Sequence, residues 1–508
     1  MKKQNCFEMG LRQILLIGVL IAIVGGFYGS PYNEATAAGP DVAWAWGKND
    51  YGQLGDNTTT NRLEPVEVNL LSNVVQIEGG GLHSLALKDD GTVWAWGRNN
   101  YGQLGDNTTT DKHEPVQVHV LTNIVQIAAA YGHSLAVKYD GTVWAWGHNE
   151  FGQLGDNTTT DRHQPVQVNL LTNVDQVAGG YEHSLALKND GTVWAWGNNY
   201  SGQLGDNTTT EKHEPVQVHL LTNVVQVACG YGHSLAVKSD GTAWAWGNNY
   251  YGALGDNTTT EKHEPIQVHV VTDVVQIDGG RAHSLAVKGN GTAWAWGLNN
   301  RGQIGDDSVT NRHEPVQVNL LTDVVQVSGG HYHSLAIEGD GTAWAWGENY
   351  YGQLGINSTA HRRNPAQVHI LTDTVQIAAG DNHSLALSPE TEAVEGVITF
   401  RGRTNHRGVA TITLKNTTSD DILSYDVVTD ASGSYSIGAV PVGTYHAICY
   451  SPTYLEKLLT PVTVTGSGAA TADFLDLCGG DLTDDGVINF SDLSVFSSCW
   501  GQSGDVMP

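Results

Sequence analysis

The sequence predicts an all-β chain. It reads as a seven-bladed β-propeller closed by pairing of its N- and C-terminal strands, then a small β-sandwich, then a short C-terminal loop and helix. Three observations predict this. A tryptophan recurs every 50 residues, as Trp44, Trp94, Trp144, Trp194, Trp244, Trp294 and Trp344. The intervening sequence consists of short apolar runs at strand period, separated by turn residues, without helical caps or a 3.6-residue pattern. The first and last units are incomplete in complementary ways.

Taken in order, residues 1–38 are an address. Lys2, Lys3 and Arg12 precede an apolar run at 14–24, and the small residues Ala35, Ala37 and Ala38 follow it. A charged start, an apolar stretch and an A-x-A-like site make a secretory signal. The run is short for a bilayer, which needs about 20 residues. Cleavage after Ala37 or Ala38 is expected, with an exported product that has no membrane insertion afterwards.

The propeller occupies 41–388. Each unit reads as four strands, which in the second copy lie at 116–120, 124–127, 133–138 and 143–146. In Trp144-Ala145-Trp146 the indoles share one face and pack between neighbouring sheets, with alanine on the other. A lone four-stranded sheet cannot bury its faces, whereas a ring of seven can. The first unit has Trp44-Ala45-Trp46 but no preceding His-Ser-Leu-Ala. The last has 383–387 but no Trp-Ala-Trp. Pairing of 42–46 with 383–387 completes the ring; the alternative is an open solenoid with both half-units unpaired.

Trp-Gly-x-Asn-x-x-Gly-Gln-Leu-Gly (96–105), Pro-Val-x-Val and Gly-x-x-His-Ser-Leu-Ala together resemble the repeat of the regulator-of-chromosome-condensation family, over about 41–388. The resemblance implies a seven-bladed propeller that acts by protein contact. Known relatives include a nucleotide exchanger of a small GTPase and a secreted enzyme inhibitor.

Residues common to every copy serve the blade, so binding residues should break the symmetry. Antiparallel pairing across the Asp-Gly turn puts the start of the His strand beside the end of the Trp strand. The variable positions there form one rim: Tyr131, Tyr181, Tyr231, Arg281 and His331 before the histidines, and Lys48, Arg98 and His148 after Trp-Gly. Such side chains on a rigid scaffold suit recognition; neutral drift on solvated loops is the alternative. Seven histidines spread round a ring do not gather on one ion, so they read as blade hydrogen-bonding residues. The repeated Asp-Asn-Thr-Thr-Thr loop (56–60) reads as a self-bonded turn. No convergent acid, base or nucleophile stands out, and no catalytic residue is assigned.

Residues 389–395 read as a linker. Strands with turns between them follow over 396–476. Asp430 to Tyr435 and Val440 to Tyr445 resemble the signature of carboxypeptidase-regulatory-like or CnaB-like sandwiches, which implies a spacer or sugar-associated accessory. At 478–501 comes an EF-hand-like loop. Asp481, Thr483, Asp485, Asn489 and Asp492 offer oxygens at positions 1, 3, 5, 9 and 12, the Val487 carbonyl sits at position 7, and Gly486 makes the turn. This set suits Ca²⁺. It resembles one half of a type I dockerin, a family that has two such segments and binds a cohesin. Cys478 and Cys499 bracket the loop as a disulfide candidate permitted by export, with Cys449 a competing partner. Cys229 replaces Gly or Ala in the repeat and reads as a small buried thiol.

Lys+Arg 25 against Asp+Glu 53 gives a net charge of −28 in 508 residues. That excludes a nucleic-acid backbone as main partner. The leading expectation is a secreted or cell-surface, non-enzymatic, monomeric binding scaffold. The alternatives are an accessory of an extracellular polysaccharide-degrading complex, and a GTPase regulator or enzyme inhibitor.

Overall fold

The computed structural model describes residues 41–389 without interruption and, beyond them, the strand segments given below. Two compact units divide the chain, one over Val42–Ser388 and one beginning at Pro389.

The first unit is seven four-stranded antiparallel sheets, one per blade. Blade I is Val74–Gly79, His83–Lys88, Val93–Gly97 and Lys112–Gln117, here called strands a to d from the axis outwards. Blades II to VI repeat this pattern every 50 residues. Blade VII is composite. Gln376–Ala379 and His383–Pro389 are its strands a and b, while Asp41–Gly47 and Arg62–Glu67 are its strands c and d. The seam therefore runs between strands b and c, and the ring is shut as expected. Lys48 N–H donates to the Asn382 carbonyl across it at 2.9 Å. All described elements are strands.

The indole reading holds. Trp46, Trp96, Trp146, Trp196, Trp246, Trp296 and Trp346 are fully buried. Trp96 and Trp94 pack against Ala43, Ala45 and Leu385 of the neighbouring blade VII. Trp196 likewise meets Ala145 and Leu135 of blade II. Small alanines on one sheet make room for large indoles on the next.

Strand d differs from expectation. It is Lys112–Gln117 rather than 116–120. Pro115 lacks an N–H, which an outermost edge strand tolerates. After it the Val118 N–H returns to the Val93 carbonyl at 2.9 Å. The chain then turns towards the next blade through a left-handed Val120, with φ 62°.

Three closed circuits of hydrogen bonds tie the blades together. In the innermost, a glutamine on each strand a reaches the next blade. Gln226 Nε2 donates to the Ile277 carbonyl at 3.2 Å while its Oε1 accepts from the Ile277 N–H at 2.9 Å. Gln76, Gln126, Gln176, Gln276 and Gln326 do the same, and Gln376 returns to Ile77.

The second circuit uses the repeated His-Ser pair. His183 Nε2 lies 3.0 Å from Ser234 Oγ, and His383 closes onto Ser84 at 3.0 Å. Ser234 Oγ donates to the Gln203 carbonyl at 2.8 Å, which spends its only hydrogen. The imidazole hydrogen therefore sits on Nε2, and each histidine is held neutral by full burial. The third circuit is the Trp246 indole N–H to the same Gln203 carbonyl, 2.9 Å, repeated round the ring. The Nε2, Oγ and indole N–H groups are thus paired, while the buried Nδ1 atoms of His83, His133, His183, His283, His333 and His383 find no hydrogen-bond partner.

The long loop between strands c and d is wound round a buried asparagine. Asn149 Nδ2 donates to Asp156 Oδ1 and to the Thr158 and Thr160 carbonyls at 3.0–3.2 Å, while its Oδ1 accepts from Leu154 N–H. Arg162 pairs with Asp156 at 2.6 Å. This is the self-bonded turn expected for the Asp-Asn-Thr-Thr-Thr segment.

In the second unit, Thr391–Phe400 pairs with Ser434–Pro441, and Val409–Asn416 lies between Ile422–Val428 and Gly443–Ser451. Thr391–Phe400 begins inside the expected linker 389–395, because 391–397 is ladder-paired with 434–441 instead. Tyr454–Val464 extends the second sheet. The expected calcium loop 481–492, the expected disulfide cysteines Cys478 and Cys499 and the expected leader 1–38 lie outside the described residues.

Candidate functional site

The expected rim exists because of the register between strands b and c. His183 pairs with Gly197, so the residue before the histidine and the residue after the glycine meet, with Asn198 N–H donating to the Glu182 carbonyl at 2.8 Å. The glycine is required there. Gly147 has φ 102°, a backbone few side chains adopt, and a Cβ would fall 2.6 Å from the Gly132 carbonyl.

The rim splits into two layers. Tyr131, Tyr181, Tyr231, Arg281 and His331 converge on the propeller axis. The proof is contact between blades that are not neighbours. Tyr131 and Tyr231, two blades apart, have ring centroids 5.7 Å apart, and Tyr231 and His331 5.3 Å. Tyr131–Tyr181 and Tyr181–Tyr231 lie at 4.2 and 4.8 Å, the latter pair stacked. Such separations are those of favourable aromatic pairs. The Tyr231 hydroxyl crosses to blade VII and donates to Asp381, with both carboxylate oxygens at 2.9 Å.

Lys48, Arg98 and His148 are not brought into that cluster. Each sits further out against an aromatic ring of the preceding blade's loop. Lys48 Nζ is 5.0 Å from the Tyr351 centroid, the Arg98 guanidinium 5.1 Å from Tyr51, and the His148 ring 4.3 Å from Tyr101. These form a peripheral crown, with cation–aromatic contacts at Lys48 and Arg98 and a ring-to-ring contact at His148.

Beneath the axial cluster lies a cavity of about 320 Å³ on the ring axis, lined by the glutamine circuit and by Glu78, Asp278 and Cys229. Glu78 and Asp278 stand where blades II to IV and VII have alanine. Burial pushes the Glu78 carboxyl up to about 8 and that of Asp278 to about 6. Asp381 is raised to about 7 by burial, against the Tyr231 hydrogen bond and the charges of Arg281 and Lys48. Burial and the same carboxylate raise Tyr231, and Tyr181 rises to about 12, burial leading. His331 falls to about 4 through burial and the nearby Arg281.

The site thus concentrates aromatic faces, one cation and one carboxylate at a concave mouth. The serines of the His-Ser pairs are fully buried and donate to loop carbonyls, so none faces solvent as a nucleophile. Among the described residues no group of three or more His, Cys, Asp or Glu could hold a metal ion.

Sequence reasoning missed Asp381 as a site residue, although it stands in the same repeat column as Tyr131. It missed Glu78 and Asp278, whose signal was acidic residues in an alanine column. It also missed the glutamine circuit, whose signal was an unvarying polar residue in an apolar strand.

Comparison with known proteins agrees with this architecture. The family model described as RCC1-like domain matches residues 111–449, and RCC1 repeat models match 41–87 and 74–103. Human WBSCR16 is 26% identical, with a TM-score of 0.63 over 68% of this chain and 98% of its own. Yeast RCC1 (Prp20), solved bound to Kap60, is 22% identical, with a TM-score of 0.63 over 71% of this chain and 94% of its own. Prp20p from Saccharomyces cerevisiae, described with its binding properties to Gsp1p and histones, gives the same identity and score over 71% and 96%. At 22% identity the Prp20 structures show the fold alone.

Proposed function

The chain belongs to the RCC1-like domain family, and from that premise we propose that it is a non-enzymatic propeller that binds a protein partner at its axial mouth. One observation carries this. On a scaffold repeated seven times, the column at 81, 131, 181, 231, 281, 331 and 381 holds Gly, three Tyr, Arg, His and Asp, and those side chains meet over one axis. A blade needs none of that diversity, since all seven close alike.

Within the family, the partner class that fits best is a small GTPase. Relatives of this repeat type promote nucleotide exchange, and the Prp20p structure is one described together with binding to Gsp1p and histones. The test is capture from the native surroundings by the full chain, then nucleotide release from any GTPase captured. Faster release with the parent, lost with Tyr131→Ala, Tyr181→Ala and Arg281→Ala together, supports the reading. Capture that is unchanged by that triple substitution rejects the mouth as the contact.

A second reading, an exported or cell-surface scaffold, is favoured by the leader at 1–38. In it the strands from 391 onward form a sandwich that acts as a spacer, and residues 481–492 bind Ca²⁺ to dock or cap the C-terminus, with an extracellular carbohydrate complex as the setting. Cell fractionation separates the two readings. Calorimetry of Asp481→Ala and Asp485→Ala tests the ion, since calcium uptake equal to the parent excludes that loop.

A further inference from the structure

The axial mouth contains an unfinished ion pair. Asp381 accepts from the Tyr231 hydroxyl, yet no cation lies within ion-pair distance of it among the described residues. A carboxylate has about four acceptor positions, so most of its capacity is open. The two cations close enough to favour its charge are engaged elsewhere. The Arg281 guanidinium stands 5.1 Å from the Tyr332 ring, and Lys48 Nζ pairs with Asp50 at 3.2 Å. Near Asp381 stand the packed rings of Tyr131, Tyr181 and Tyr231, with centroids 4.2–5.7 Å apart, and aromatic faces carry a negative quadrupole. Below it the cavity wall adds Glu78 and Asp278, and Arg281 is its single basic residue. An open carboxylate among aromatic rings, with three acidic side chains against one basic one in the cavity wall, favours one kind of occupant.

We propose that the mouth is a receptor for a single cationic side chain, a lysine ammonium or arginine guanidinium carried by the protein partner, seated on the tyrosine faces and paired with Asp381. This rests on reading the mouth as a protein contact and names the chemistry that the partner must present there. The acidity of the whole chain, −28, also draws a basic partner surface toward it.

The test needs no partner. Butylammonium, butylguanidinium and neutral 1-butanol are titrated against the full chain by saturation-transfer NMR. Both cations should bind and compete with each other, and butanol should not displace them. Asp381→Asn should weaken cation binding roughly tenfold, the loss of one charge pair. Tyr181→Ala should weaken it several-fold, and Glu67→Gln, at an exposed position of an outermost strand, should leave it unchanged. Asp381→Asn is isosteric and removes a buried charge, and a cooperative melt confirms its fold; Asp381→Ser is a second variant at the same position. Cation binding equal in Asp381→Asn and parent, butanol binding as well as butylammonium, or no binding by either cation overturns the proposal. Partner capture that persists in any of those cases leaves the protein-contact reading standing. Cation binding intact, with partner capture insensitive to Tyr131→Ala, Tyr181→Ala and Arg281→Ala, removes that reading instead.

Discussion

Acid should unfold the propeller well before ordinary carboxylates titrate, because the ring is held by seven neutral histidines. All are buried, and burial lowers His83, His183, His283 and His333 to about 3, His233 and His383 to about 4, and His133 well below its ordinary 6.5. The folded values lie below the unfolded one, so the unfolded chain takes protons first as pH falls. The stabilisation is complete above pH 6.5 and is lost on the way down toward the folded values. At about pH 5 each histidine favours the unfolded chain by about 2 kcal/mol, on the order of 14 kcal/mol for the ring. Three cavity acids oppose this. Glu78, Asp278 and Asp381, raised to about 8, 6 and 7, take protons in the folded state over the same range. Their half-buried carboxyls return at most ~2 kcal/mol each, because cavity solvent screens them. The histidines win by ~8 kcal/mol, comparable with the whole stability of a domain. Urea unfolding followed by tryptophan fluorescence at about pH 7.5 and about pH 5 reads the difference. Glu78→Gln, Asp278→Asn and Asp381→Asn together should widen the gap between the two urea midpoints, because the acids that offset the histidines are gone. A urea midpoint equal at the two pH values would refute the reasoning.

The seam is tested by Trp46→Ala beside Trp196→Ala. In a closed ring both should cost about 3–5 kcal/mol, whereas a much smaller loss for Trp46→Ala in denaturant melts means that blade VII is open. Gln226→Ala should cost about 2 kcal/mol for two lost inter-blade bonds and speed hydrogen exchange at the Ile277 amide, with unchanged exchange counting against the circuit. Asp156→Asn, which removes the Arg162 pair, should cost about 1 kcal/mol in the same melts. Cys229 is buried in the cavity wall and its thiol is raised by that burial and by Asp278, so a thiol reagent should modify it far more slowly in the folded chain than on unfolding.

How much was legible follows from what each pattern encodes. The 50-residue period set the blade count, since every unit must bury the same indole against the same alanines. The half-units at the two ends specified the seam, because edge strands left unpaired would expose their backbone. The His-Ser column was readable as structural from its repetition alone. Strand d was misplaced because the alternation of Val116, Val118 and Val120 continues past the turn at which the chain leaves the sheet. The expected linker was lost to long-range pairing, which Pro389 and the acidic residues after it do not announce.

Sequence alone, then, determined a seven-unit β architecture and the rim on which its variable residues stand. Only the tertiary structure decided that Tyr131, Tyr181, Tyr231, His331 and Asp381 form one cluster, while Lys48, Arg98 and His148 stand apart in a crown. The reason is radial. Two columns can share a rim and still lie at different distances from the axis, and only the inner one brings side chains separated by as many as 150 residues into contact.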